Sequence, residues 1–296
     1  MSFVVVAIVL LEIVAQWSGI PLPAGMPALL IGSLLIAAVS MADDRWHLPP
    51  SVRFSAHLLG AIILIVGGGV VREVSLPGGA VWSLGWLSSP FTLFWVVGLT
   101  NAYNFMDGID GLAGGQAVIA AAIMAWLGQV RGVSGITLAM TVLAGSVLGF
   151  LLHNWPPAKI FMGDVGSAFL GFTFAGWAVL AGGTRSSPLP FLAWVVVLAP
   201  FVFDTVATLI SRIMRRQRWY EAHREHFYQR LIRRGWSHLA VTNLYLGVAA
   251  FLGLATIAYY GYGIIAPSIF IGLVFLPLAA ILVLVRWVET RDGAFF

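Results

Sequence analysis

Hydrophobic positions in this chain fall into long unbroken runs, without the alternation of strands or the one-sided stripes of surface helices. Ten runs approach the ~20 residues that a helix needs to cross a bilayer, near 3–20, 26–42, 54–71, 90–106, 112–130, 134–152, 165–182, 189–211, 239–259 and 263–286. Gly/Pro connectors such as 19–27 and 182–190 separate them. Glu12 and Gln16, four apart in the first run, share a face that turns towards other helices. Gly67, Gly68 and Gly69 suit close helix packing in the third. There is no convincing internal repeat. The pattern predicts an all-α polytopic membrane protein with about ten transmembrane helices, forming a single integral-membrane domain over residues 1–296.

Composition agrees with the pattern. The 296 residues are 60% hydrophobic and 9% charged, with a mean hydropathy of +0.94, whereas soluble domains carry about 25% charged residues. A membrane β-barrel would show short alternating segments in place of these runs. The absence of cysteine excludes disulfides, thiol catalysis and Cys-based metal sites. No basic stretch precedes Phe3, so no cleavable signal peptide is expected.

A pI near 9.8 raises nucleic acid as a partner, but the distribution of the basic residues points elsewhere. Threading the ten runs puts loops 43–53, 101–111, 153–164 and 212–238 and the C-terminus on one side. That side holds thirteen Arg and Lys residues, against Arg72, Arg131 and Arg185 on the other. Such a bias marks the first side as cytoplasmic, and no nucleic-acid partner is expected.

The same side receives Asp43, Asp44, Asp107, Asp110 and Asp164, while the outer loops hold one acid, Glu73. Carboxylates at the edge of hydrocarbon are costly unless they face protein, water or a cation, which makes them functional candidates. In NAYNFMDGIDGLAGG, residues 101–115, Asn104, Asp107 and Asp110 recur every three positions, so a turn or frayed helix end would aim them together. An Asn/Asp/Gly turn between two helices is the plainer reading. The tandem acids Asp43 and Asp44 repel each other unless a cation intervenes, with Arg45 adjacent to hold an anion. Asp164 follows Gly163 at the expected start of a helix, where backbone N–H groups favour phosphate, or where the carboxylate is simply an N-cap. Asp204, inside the eighth run, reads as a buried structural acid and is not assigned to catalysis. In loop 212–238, Arg215, Arg216 and Arg218 suit a lipid surface, whereas His223, Arg224 and His226 cluster with Tyr228 and Gln229 and suit phosphate contact.

In chain order, DDRWHLPP, NAYNFMDGIDGLAGG, NWPPAKIFMGDVGSAFLGF and HREHFYQRL resemble the motifs of the polyprenyl-phosphate N-acetylhexosamine-1-phosphate transferases. The resemblance runs from about Phe3 to Leu246. It implies transfer of N-acetylhexosamine-1-phosphate from a UDP-sugar to undecaprenyl phosphate with release of UMP, using Mg²⁺ or Mn²⁺. The setting it implies is the bacterial inner membrane, with a cytoplasmic active site and a homodimer among the allowed assemblies. By the same resemblance, Asp164, Asn104 and Asp107 would hold the metal at the phosphates. Asp43 and Asp44, with Asp107, would be catalytic, the tandem pair lying by the lipid phosphate. Asp110, Asn154 and Phe161 would lie near the uridine, and Arg224 and His226 over the sugar-phosphate.

Two departures refine this. The family's loop often runs His, any residue, His, His, and here Tyr228 and Gln229 stand where the later His residues would be. That favours enzymes starting O-antigen or another surface polysaccharide over the peptidoglycan lipid I enzyme. The family's first transmembrane helix and the loop after it have no counterpart before the first run. A transporter, the competing class, would place acids at the bilayer midplane within a two-fold repeat, a pattern the sequence does not show.

Overall fold

The computed structural model describes residues 19–185, 187, 189–218 and 224–292. Apart from one small hairpin, the regular elements among the described residues are helices joined by short connections. The helices are α1 Met26–Trp46, α2 Pro50–Val66, α3 Ser88–Phe105, α4 Leu112–Val130, α5 Ser134–Asn154, α6 Gly163–Gly182, α7 Phe191–Val197, α8 Ala199–Met214, α9 Phe227–Arg233, α10 His238–Thr256 and α11 Pro267–Asp292. Strands β1 Glu73–Ser75 and β2 Val81–Ser83 pair antiparallel, Val74 opposite Trp82, in the connection between α2 and α3. The run pattern gives no sign of this hairpin, whose strands are three residues each.

Six helices among the described residues are long and apolar enough to cross a membrane, or seven if a bent pair counts as one span. The expected ten are not reached, for separable reasons. The run at 3–20, with Glu12 and Gln16, lies outside the described residues. Helix α2 is shorter, ending at Val66, so of the three glycines after it Gly67 packs tightly, an added Cβ falling 2.3 Å from Ala28, while Gly68 turns with φ +91°. Helix α3 carries Asn101 and Asn104 near its end and is not among the six. The run at 189–211 breaks into α7 and α8, bent by 77°. The break has a local cause, since Pro200 in the first turn of α8 has no N–H to extend the α7 ladder.

Helix α6 is the hub. It is apolar all round, as a helix surrounded by others should be, and 83% of its apolar window is buried, against 22% for the peripheral α11. Helices α1 and α3 pack on it, and the Trp95 indole of α3 donates to Ala175 O across the joint at 3.2 Å. The N-terminus of α6 therefore meets the C-termini of α1 and α3, and polar side chains gather at that junction.

Candidate functional site

Helix α1 ends at Trp46, where His47 turns left-handed with φ 52°, and Pro49 and Pro50 start α2 at once. The chain thus doubles back, bringing Arg53 in the first turn of α2 beside the last turn of α1. Arg53 Nη1 lies 3.1 Å from Asp43 Oδ2 and 2.8 Å from Asp164 Oδ2, joining α1, α2 and α6 through one guanidinium. The Asp164 amide donates to Asp44 Oδ1 at 3.3 Å. Asp164 sits in the first turn of α6 as expected, but the N-cap is Met162 and no side chain caps the helix, so capping does not account for the carboxylate. At Gly163, φ is +67° and a Cβ would lie 2.9 Å from Asp44 Oδ2, so any side chain there would push the tandem acids away.

Asn104, in the last turn of α3, donates to Ser167 Oγ at 3.0 Å, and Ser167 donates to Gly163 O at 3.1 Å. Asp107 follows in the turn after α3. Burial first, then the charges of Asp164 and Asp44, push its carboxyl well above the usual range. Asn104 and Asp107 thus join the acids of α1 and α6. Asp110 engages a different set of partners, its Oδ2 accepting from the Ala158 amide at 3.1 Å and its Oδ1 lying 3.4 Å from His238 Nδ1. Asn154 is buried and spent on backbone, accepting from Gly111 N and donating to Ile160 O. Asp110 and Asn154 therefore fasten the turn after α3 to the loop after α5. Phe161, also expected near the uridine, is 77% exposed and open for stacking.

The segment after α8 folds back over this junction. Asp204, 1% exposed, accepts the backbone amides of Phe227 and Tyr228 at 2.9 and 3.2 Å and the hydroxyls of Tyr245 and Thr208, and lies 3.2 Å from His226 Nδ1. It is a structural acid, and what it structures is the segment holding His226. The Tyr228 hydroxyl donates to Phe105 O at 2.8 Å, and burial raises its pKa, so it stays a donor. At Gly108 a Cβ would fall 2.0 Å from that oxygen, so the Asp107 turn accepts only glycine beneath the tyrosine. His226 is buried, its ring tilted against Phe105 and stacked on Tyr228 with centroids 5.5 and 6.2 Å apart. Arg224 is exposed, and Arg212 fixes the segment by pairing with Glu225 at 2.9 Å. His223 lies outside the described residues.

Sequence reasoning passed over Arg53, Ser167 and the hydroxyl of Tyr228. Arg53 was the findable one: a helix ending in two acids and reversing through Pro49-Pro50 must place its neighbour's first-turn cation opposite them. Arg45, the cation expected there, instead lies over the Trp46 ring at 5.9 Å.

Among the described residues, no three His, Asp or Glu side chains converge as a ready-made metal cage. Mg²⁺ asks for less, because it retains waters and takes one or two carboxylates plus substrate phosphates. Repelling carboxylates at Asp44, Asp107 and Asp164, a neighbouring Asn104 amide and an Asp107 held towards its neutral form fit such a hard cation.

These features define an all-α polytopic membrane protein whose helix ends gather aspartates in one polar site. Residues 26–182 match the profile of glycosyl transferase family 4. The chain is 36% identical over 233 residues to the probable undecaprenyl-phosphate N-acetylglucosaminyl 1-phosphate transferase of Bacillus subtilis, covering 77% of this chain and 64% of that protein. It is 33% identical over 273 residues to the decaprenyl-phosphate N-acetylglucosaminephosphotransferase of Mycobacterium leprae, covering 84% and 69%. It is also 35% identical over 153 residues to the phospho-N-acetylmuramoyl-pentapeptide-transferase of Lactiplantibacillus plantarum, covering 51% and 48%. The chain belongs to glycosyl transferase family 4, within the superfamily its motifs resemble. It spans about two thirds, or less, of the length of these relatives.

Two measurements on detergent-purified protein follow. Between the ordinary carboxylate value of 3.8 and the raised value of Asp107, the folded state binds more protons than the unfolded. This contribution therefore favours folding at low pH and is lost as pH rises through that window. In metal-free buffer Asp107→Asn should raise the melting temperature at neutral pH and flatten its fall with rising pH, and an unchanged pH slope would contradict the assignment. Asp204→Ala strips the acceptor from several buried donors and should cost about 3–5 kcal/mol. Limited proteolysis should then cut first between residues 215 and 234, whereas uniform destabilisation without that local release would contradict its role.

Proposed function

We propose that this chain transfers N-acetylglucosamine-1-phosphate from a UDP-sugar to a polyprenyl phosphate such as undecaprenyl phosphate, releasing UMP, in the first membrane step of a surface polysaccharide. The observation that carries the reading is the convergence of Asp43, Asp44, Asp107 and Asp164 with Arg53 at one end of an apolar bundle, in a chain of this family. N-acetylglucosamine is the sugar in the names of the relatives from Bacillus and Mycobacterium.

In the proposed step an ionised oxygen of the lipid phosphate attacks the phosphorus that bears the sugar. The bond from that phosphorus to the bridging oxygen breaks, and UMP leaves with that oxygen and the bonding electrons. A new anhydride joins the sugar phosphate to the lipid phosphate. With an ionised acceptor no proton needs to be removed, so positioning and charge neutralisation supply most of the acceleration. Asp164, Asp107 and Asn104 would hold Mg²⁺ or Mn²⁺, which when bound would neutralise charge on the donor's phosphates. Arg53, beside both Asp43 and Asp164, is the protein's own cation at the same point and would bind the acceptor phosphate by its planar fork. Asp43 and Asp44 would orient that acceptor. His226 and Arg224 would contact the sugar-phosphate from above the Asp107 turn. Phe161 would stack on the uracil, with Asp110 and Asn154 shaping the loop that carries it. The basic-residue bias supports a cytoplasmic site in the inner membrane.

The similarity to phospho-N-acetylmuramoyl-pentapeptide-transferases supports a second reading, a larger peptidoglycan donor. Both readings are tested by giving membranes undecaprenyl phosphate and a panel of labelled donors, UDP-N-acetylglucosamine, UDP-N-acetylgalactosamine and UDP-N-acetylmuramoyl-pentapeptide. The expected result is labelled lipid and UMP from UDP-N-acetylglucosamine, both lost in an Asp164→Asn variant that still inserts. Release of UDP in place of UMP, or full turnover by Asp164→Asn, would overturn the proposal.

A further inference from the structure

A polar cavity of about 270 Å³ lies among α8, α9 and α11, with a lining separate from the aspartate cluster. Thr208 and Ser211 of α8 and its C-cap Arg215, which line it, fall at helical spacing on the face that also carries Asp204. Thr208 turns its hydroxyl to Asp204, and none of the clustered aspartates lines this cavity.

Its charges do not balance. The lining contains two acids, and both are engaged: Arg230 of α9 grips Glu289 of α11 through Nε and Nη2, and Glu225 is held by Arg212. Arg215 and Arg233 also line the cavity, are exposed, and form no close ion pair with a carboxylate among the described residues, although the charge of Arg215 acts on the already paired Glu289. Two guanidinium groups without a close ion pair beside a small cavity, with the Ser211 hydroxyl also in its lining, form a surface suited to a phosphate.

The surroundings indicate where that phosphate comes from. Flanking Ser211 and Arg215 in the chain, Ile210, Ile213 and Met214 are 51%, 52% and 79% exposed, and Trp287, on a neighbouring face of α11, is 48% exposed. In a bilayer these side chains face acyl tails, so the cavity opens where headgroups begin. At about 270 Å³ it lies below the roughly 300–1,000 Å³ of pockets that enclose whole small-molecule ligands, too small for a nucleotide sugar.

We propose that Arg215 and Arg233 bind the phosphate of one anionic phospholipid headgroup in this cavity, with its tails along α8 and α11. This would be a defined lipid site, distinct from the diffuse attraction that basic loops have for anionic membranes. It does not rest on the transferase reading and is tested without activity.

The test is retention of spin-labelled phosphatidylglycerol by the full chain in phosphatidylcholine nanodiscs, with spin-labelled phosphatidylcholine for comparison. Wild type should immobilise phosphatidylglycerol selectively, and added inorganic phosphate should not displace it. Arg215→Gln with Arg233→Gln should weaken retention at least tenfold, the scale expected for losing charged contacts. Arg216→Gln with Arg218→Gln, matched in charge and outside the cavity, should leave retention unchanged. Arg215→Lys with Arg233→Lys should restore part of the binding, which separates loss of charge from loss of fold. Equal loss in both Gln pairs would show a diffuse basic surface and overturn the proposal. So would displacement by inorganic phosphate, or undiminished retention by the cavity variant.

Discussion

Carboxylates drawn together at the end of an apolar bundle repel one another, and the rest of this structure is arranged around that repulsion. Asp43 and Asp44 come from the last turn of α1, Asp164 from the first turn of α6, and Asp107 from the turn after α3. Arg53 offsets part of the charge by touching Asp43 and Asp164 at once. The remainder appears as an Asp107 carboxyl held towards its protonated form. The apolar bundle beneath the cluster lowers the local dielectric on one side, which raises both the repulsion and the strength with which a cation would relieve it. Helix α6 imposes the arrangement, because its buried, apolar body fixes where its N-terminus must stand.

The same bundle contains an acid treated the opposite way. Asp204 is more deeply buried than the clustered aspartates, yet it accepts from two amides and two hydroxyls and has an imidazole nitrogen within hydrogen-bond distance. A buried carboxylate so satisfied holds structure, and this one fixes the segment that lays Tyr228 and His226 over the Asp107 turn. The contrast between a satisfied acid and a cluster short of cations separates framework from candidate chemistry without reference to any relative.

How much of this was readable from the chain follows from the range of the interactions. The long apolar runs announced membrane helices, and the location of the aspartates at run ends announced a one-sided site, because both are properties of neighbouring residues. The start of α6 at Gly163-Asp164 was readable for the same reason. The bridge from Arg53 to Asp164 spans 111 residues, and the bond from Tyr228 to Phe105 spans 123, so neither leaves a local trace. The three-residue spacing of Asn104, Asp107 and Asp110 suggested one shared direction, but α3 stops at Phe105 and the chain turns. Asp110 then faces Ala158 and His238. The bend at Leu198 was hidden inside a run whose hydropathy does not falter, with Pro200 as its only mark.

A cluster of this kind should take up one divalent cation. Binding of Mn²⁺ to the purified chain, followed by loss of the free-ion paramagnetic resonance signal with and without UDP-N-acetylglucosamine, measures this. One tightly bound ion per chain is predicted in the presence of the nucleotide sugar, abolished by Asp164→Asn and weakened as pH falls and Asp107 takes up its proton. Binding of the same stoichiometry and strength in wild type and in Asp164→Asn, or binding indifferent to pH, would contradict it.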